Sequence, residues 1–539
     1  MSAATVSVGS SAARPAPSRQ ASAPAPAQID WTKLLLGFGA MVIGQFMAIL
    51  DIQIVAASLP QIQAGVSASA DQISWIQTAY LIPEVVMIPL SGYLSRLWGT
   101  RPVFLMSCAG FVLMSVATGL ASDIHMMIVT RALQGFIGGA MIPTVFATAF
   151  TAFPPSKRTT ASVIIGLIVT LAPTVGPTLG GWLTEALSWR WLFFVNVAPG
   201  LLVLAMVWRW GDFDKGDPSL AKGFDWAGLG LMAVFLMSLQ YVLEEGAKND
   251  WLDDPLIAGL IVSAVVAGAG FVWRSLAYRQ PIVELRAFKD RNFAIGVIMT
   301  FVNGSVLFGG TFLLPLFLGQ VQGFSAQQVG ETMMVSGIAM FLTGPIAGQI
   351  ARRLDPRIPL FVGFSLAAWG MWMAHQVTPE WGFWQFASVQ ACRGVGVMIA
   401  MIASQNVTMS TLSPHMIKNA SGIVNLARNV GGAVGLAVLA TGITANTALH
   451  LHDLAQGVSV ANQGAQDMLS GLVARMQEAG VADPDGAARK AFFGLMQKQA
   501  ASLAFGDGFS MMALGAAFAA MISLFARPGK GRAAPADAH

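Results

Sequence analysis

"GYLSRLWGTR", residues 92–101, ends an apolar run on a glycine and places arginines four and nine residues further on; "GQIARRLDPR", residues 348–357, repeats that spacing in the second half of the chain. A fainter pair, "RALQGFIGG" at 131–139 and "RGVGVM" at 393–398, follows in the same order. A span-and-turn unit that recurs in both halves predicts two structural repeats, a construction common among transporters.

Around these motifs the chain contains fourteen stretches of mainly apolar residues, each able to cover a hydrocarbon core of about 30 Å with roughly 20 residues. The composition agrees: 55% of residues are hydrophobic and only 11% charged, against roughly 25% charged in soluble domains. The mean hydropathy is +0.63. An all-α integral membrane protein follows, with a six-helix half at 33–210, two inserted helices within 225–275 and a second, pseudo-symmetric six-helix half at 292–526.

Basic residues near span ends are retained on the cytoplasmic side. Arg96, Arg101, Lys157, Arg158, Arg352, Arg353, Arg357 and Lys418 all fall on one side when the spans alternate, which predicts that both termini are cytoplasmic. The net charge of +4 is then a topology signal, and no nucleic-acid partner is expected. Residues 1–28, rich in Ser, Ala and Pro, read as a disordered cytoplasmic tail, and 527–539 as a second tail. Residues 446–506 are too polar to span and read as a periplasmic loop with helix-like stretches. Its "HLHD" (His450 to Asp453) reads as solvated, because side chains at i and i+2 diverge on a helix and hold no metal together. Cys108 and Cys392 sit in separate apolar spans and read as inert packing residues.

Ionisable residues inside spans are costly, so they pair, face the bundle interior and mark function. Asp51, in "AILDIQIVAASLP" (48–60), and Arg131, about seven residues into the fourth span, lie at similar depth at ~1.5 Å per residue and are placed to form an ion pair, either fixed or proton-coupling. Glu84, in "YLIPEVVMIPLSG" (80–92), lies mid-span between Pro83 and Pro89 with no basic neighbour in its own span. It is the stronger candidate for binding a proton or attracting a cation. Arg393 and Arg428 are secondary candidates and read as structural locks. "APTVGPTLGG" (172–181) places Pro173, Gly176, Pro177, Gly180 and Gly181 in one span, which predicts close helix packing with a hinge. A GxxxxGK[ST] loop is absent from the sequence, so ATP hydrolysis is not the expected energy source and no cofactor is expected.

These stretches resemble a known family. "LDIQIVAASLP" (50–60), "RALQGFIGGA" (131–140), "GPTLGG" (176–181), "SWRWLFFVNVAPG" (188–200) and "NLARNVGGAVGLAVL" (425–439) together are similar to the EmrB/QacA-type fourteen-helix drug/proton antiporters of the major facilitator superfamily, over about residues 34–526. The resemblance implies the major facilitator fold and multidrug efflux of amphipathic compounds by proton-driven alternating access. It also implies Asp51 with Arg131 as a coupling pair, an inner-membrane location, and partnership with a periplasmic membrane-fusion adaptor and an outer-membrane channel. A narrow exporter of a metabolite, siderophore or lipid-like acid is the alternative, and a proton symporter or a transport-inactive sensor stands behind it. One motif departs: where the family's loop reads G-x-x-x-D-R-x-G-R-R, this chain keeps Gly92, Gly99 and Arg101 but carries Arg96 in place of the Asp. The charge relay of that loop is therefore expected to be altered.

Overall fold

The computed structural model describes residues 30–69, 72–458 and 463–527; the tail 1–28 and all but Arg527 of the tail 527–539 lie outside them. Fourteen long helices run through the described residues: α1 (Trp31–Ala57), α2 (Trp75–Trp98), α3 (Thr100–Gly119), α4 (Ile124–Thr151), α5 (Pro155–Ala186), α6 (Trp191–Trp210), α7 (Trp226–Glu245), α8 (Pro255–Ala277), α9 (Arg291–Gln320), α10 (Ala326–Arg353), α11 (Arg357–Trp372), α12 (Phe383–Ser410), α13 (Pro414–Gln456) and α14 (Pro484–Ser523).

Many begin where a side chain can satisfy the orphan amides of a first turn. Asp30 accepts from Lys33 N at 3.2 Å, Asp254 from Leu256 N at 2.7 Å, and Asp290 from Phe293 N at 2.9 Å. Proline opens α5, α8, α13 and α14, where its missing N–H costs nothing.

Twelve of the fourteen are long and apolar enough to cross a membrane by themselves. The other two are α2 and α11, for different reasons. Helix α2 is long enough, at 24 residues, but carries Gln77, Glu84 and Arg96 and is mostly buried inside the protein, so it need not be apolar all round. Helix α11 has only 16 residues, about 24 Å at 1.5 Å each, and is prolonged by a turn over residues 373–376.

The expected repeat is visible in the packing. In the first half α1 packs on α5 and α6, and α4 packs on α2 and α3; eight helices later α9 packs on α13 and α14, and α12 on α10 and α11. The halves meet along two seams, α2 against α13 and α5 against α10. The inserted α7–α8 hairpin lies over the first seam, with α7 touching both α2 and α13. Its outer surface is apolar and open: Trp226 is 75% and Trp273 69% exposed, as expected of side chains that face lipid rather than water.

Residues 446–506, expected as a loop with helix-like stretches, are largely helical where described. Helix α13 runs unbroken for 43 residues to Gln456, α14 begins at Pro484, and a short helix, Gln463–Glu478, packs along α14. The polarity of this stretch reflects contact with water, which helical backbone tolerates. Asp507 ties the two long helices where they diverge from the bundle, accepting from Asn446 Nδ2 at 2.9 Å and meeting His450 Nε2 at 2.8 Å.

Candidate functional site

Asp51 and Arg131 do meet. Arg131 Nη1 lies 2.6 Å from Asp51 Oδ2, and neither side chain has any exposed surface. The other carboxylate oxygen accepts from Asn196 Nδ2 at 2.7 Å and Gln134 Nε2 at 3.3 Å. Ser115 Oγ accepts from both of those amides, at 3.2 and 2.7 Å. Arg131 also donates to Gln134 Oε1 at 2.9 Å and to the Ile76 carbonyl at 3.2 Å, and its guanidinium lies 4.4 Å from the Tyr80 ring centre. Side chains of α1, α3, α4 and α6 thus share one hydrogen-bonded hub. Nearly every acceptor position on the carboxylate is taken, which is what allows a buried charge pair to persist. Gln134, Asn196 and Ser115 escaped the sequence reading, although the first two stand inside the quoted stretches 131–140 and 188–200.

Glu84 is in the opposite situation. Its side chain is 2% exposed, yet among the described residues it makes no hydrogen bond or ion pair. It faces a cavity of about 250 Å³ between the halves, whose wall also includes Gln53 of α1, Gln77 of α2, Pro173 of α5, Gln240 and Glu244 of α7, Phe308 and Phe312 of α9, and Arg428 of α13. An apolar chamber with a few convergent polar groups is the usual form of a small-molecule site.

The secondary cations separate. Arg428 reaches the cavity, held by Asn425 Oδ1 at 2.8 Å and lying 5.3 Å from the Phe146 ring. Arg393 does not. It donates to Gln390 at 3.0 Å and to Ser336 of α10 at 2.9 Å, locking α12 to α10.

The proline-glycine stretch lies within a continuous α5, with Pro173 and Pro177 inside the helix. A Cβ on Gly180 would fall 2.8 Å from the Ile54 carbonyl oxygen, and one on Gly176 2.5 Å from Gln53 Cβ, so these two glycines let α5 lie against the backbone of α1. Gly181 faces open space. Because α5 also forms the seam with α10, the stretch joins a tight contact within one half to the boundary with the other.

The altered loop motif has a carboxylate after all, supplied from elsewhere in the chain. Gly99 has φ +92°, a conformation that favours glycine, and turns α2 into α3 so that Thr100 N and Oγ1 donate to Asp214 at 2.8 and 3.2 Å. Asp214 stands in "GDFDKGD" (211–217), between α6 and α7. Its carboxylate also binds Lys418 Nζ of α13, which donates to Ser95 O of α2 at 2.9 Å as well. Arg101 is held by the Trp208 carbonyl, and the Arg96 carbonyl accepts from Asp217 N at 2.8 Å. A Cβ on Gly92 would fall 2.7 Å from Lys418 O. With Ser421 Oγ donating to Pro143 O at 3.0 Å, these contacts close the two halves together at the basic end of the bundle.

Comparison with known proteins agrees with this architecture. Residues 41–436 match the Major Facilitator Superfamily. The chain is 38% identical to the colistin resistance protein EmrB of Acinetobacter baumannii, over 94% of this chain and 98% of that one. It is 31% identical to the multidrug export protein EmrB of Escherichia coli K12, over 82% and 87%. Among solved structures, the human organic anion transporter MFSD10 superposes with a TM-score of 0.55 at 14% identity, covering 90% of this chain and 99% of that one, a likeness of fold alone. Matched along most of its length and built as two packed six-helix repeats with an inserted pair, the chain belongs to the major facilitator superfamily, in its EmrB-type branch, and is a multi-pass secondary transporter rather than an enzyme.

Proposed function

We propose that the chain exports amphipathic toxic compounds in exchange for protons, by alternating access of the central cavity. The observation that carries this reading is Glu84: a carboxylate buried in the chamber between the halves that makes no hydrogen bond or ion pair among the described residues, with Arg428 on the same cavity wall but not bonded to it. Left ionised there it is costly, and taking up a proton or a cation relieves that cost. Competition between the two for one carboxylate is the simplest way to make their movements obligatory exchange. Each proton crossing 100 mV supplies about 2.3 kcal/mol, enough to bias a two-state equilibrium by more than tenfold. In this reading Asp51 and Arg131 act differently. Their hydrogen-bonded hub holds α1, α3, α4 and α6 as one rigid body that moves against the other half.

The names of the two EmrB relatives support drug export, and the basic closed end supports cytoplasmic termini. An inner-membrane location, with a periplasmic adaptor and an outer-membrane channel completing a three-part pump, is the corresponding proposal for the cell; the long α13–α14 projection offers such partners a surface. Accumulation of a fluorescent dye in energised inverted vesicles tests the reading. The native chain is expected to concentrate the dye and to release it when a protonophore is added; accumulation indifferent to the protonophore would refute proton coupling.

Asp214 and Lys418 act as the latch of the closed end. Charge-assisted hydrogen bonds contribute about 1.5–3 kcal/mol, so Asp214→Asn is expected to raise the population open at that end by roughly tenfold or more. Spin-label distances between the α2–α3 turn and the start of α13 read this directly. An unchanged distance distribution in the variant would show that the latch contributes nothing to closure.

A further inference from the structure

Helix α7 belongs to neither repeat, yet it places two polar side chains one turn apart in the cavity wall, Gln240 and Glu244. Gln240 Nε2 donates to Glu244 Oε1 at 2.9 Å, which orients the carboxylate. Glu244 and Glu245 both stand in the last turn of α7, where the negative end of the helix dipole disfavours acidic side chains. Glu245 has a structural reason to be there: it receives Lys248 Nζ at 3.0 Å and the Thr78 hydroxyl of α2 at 3.3 Å. Glu244 makes no ion pair among the described residues: its hydrogen-bond donor Gln240 is neutral, and the nearby Lys248 bonds Glu245 instead. A side chain that breaks a local rule without structural return points to function.

The position is also rigid. Trp75 of α2 and Tyr241 of α7 lie 5.6 Å apart, and Trp251 Nε1, just beyond α7, donates to Thr441 Oγ1 of α13 at 3.0 Å. This end of α7 is thereby fastened to both halves. The same cavity wall includes Phe308 and Phe312 of α9 and, from α2, Glu84, which makes no hydrogen bond or ion pair among the described residues. When ionised, the two carboxylates outnumber the single guanidinium of Arg428, which is itself held by Asn425, so the chamber can favour a cation. Its aromatic faces suit the apolar body of an organic cation.

We propose that Glu244, oriented by Gln240 on the inserted helix α7, is the specificity-determining residue of the cavity and holds the positively charged group of an amphipathic substrate. This rests on the reading of the cavity as the export site and adds to it a role for the inserted pair.

The experiment is calorimetric binding to the full chain in lipid nanodiscs, using tetraphenylphosphonium and the uncharged triphenylphosphine oxide, compounds of similar shape. Glu244→Gln is expected to weaken the cation by about tenfold or more while leaving the neutral compound within about twofold, and Glu244→Asp is expected to recover most of the cation's affinity. Equal losses for both compounds would make Glu244 a structural residue, and unchanged affinity for both would remove it from the site; either result overturns the proposal while the export reading stands. A native chain that binds neither compound would overturn the export reading, and this proposal with it.

Discussion

Glu84→Gln is expected to bring dye accumulation in energised vesicles down to no more than equilibration with the medium, in a protein that still folds and still exchanges dye for dye. At about 2.3 kcal/mol per proton per 100 mV, the gradient lost corresponds to roughly fiftyfold in concentration. The replacement preserves the shape of the side chain. Because Glu84 makes no hydrogen bond or ion pair among the described residues, its neutralisation breaks no direct contact; Arg428 loses one nearby negative charge but keeps its bond to Asn425, and the stability change is expected to stay within about 1 kcal/mol. What disappears is the only buried carboxylate facing the chamber that makes no hydrogen bond or ion pair among the described residues, and with it the group on which, in the proposed mechanism, proton and substrate compete. Exchange of labelled against unlabelled dye separates this from simple inactivation, since it needs alternation of the cavity but no proton. A Glu84→Gln variant that still concentrates dye as the native chain does would transfer the proton-carrying role away from this residue.

The second large effect falls on the hub. Arg131→Met leaves Asp51 fully buried opposite an apolar side chain, and breaking a buried pair from one side costs about 3–5 kcal/mol. Loss of yield and an early melting transition in detergent are expected. The double replacement Asp51→Leu with Arg131→Met removes both charges, and much of the stability is expected to return, because a well-packed apolar pair is often no worse than a buried ionic one. Asn196, Gln134 and Ser115 then keep one another as partners. The contrast between single and double variants is the informative measurement. A single variant as stable as the native chain would mean that the Asp51–Arg131 pair contributes nothing to holding the helices, and would return Asp51 to the coupling candidates.

The sequence displays what repeats and what is costly. Apolar length gives the spans, the recurrent glycine-arginine spacing gives the halves, and Asp51 with Arg131 stands out because charges are rare in lipid. Even the depth match of that pair follows from counting residues along two helices. The remaining members of the hub are uncharged: Ser115, Gln134 and Asn196 are ordinary polar residues in spans until three helices bring them together. Asp214 is less legible still, since its partners Thr100 and Lys418 lie far off along the chain on both sides, and the motif that it completes had already failed to show a carboxylate in the usual place. Helix α7 misleads in another way. Its overall apolarity describes the face toward lipid, whereas Gln240 and Glu244, at a spacing of four, describe the narrow inner face. That spacing was the available signal. In the stretch 446–506 the helix-like pattern of Gln463–Glu478 is legible, whereas low hydropathy, which indicates only immersion in water, hides how far α13 and α14 extend into it.

Helix α13 spans 43 residues and α14 spans 40, about 65 and 60 Å at 1.5 Å per residue, roughly twice the thickness of the hydrocarbon core. Both leave the bundle without a break, tied to each other by Asp507. A rigid rod that pivots near its middle moves most at its tip: a tilt of about 10° of the second half displaces the far end of a projection ~30 Å long by about 5 Å, the pitch of one helical turn. The two helices are therefore a lever arm: in the proposed alternating access, whichever way the chamber faces is legible as a displacement at their tips.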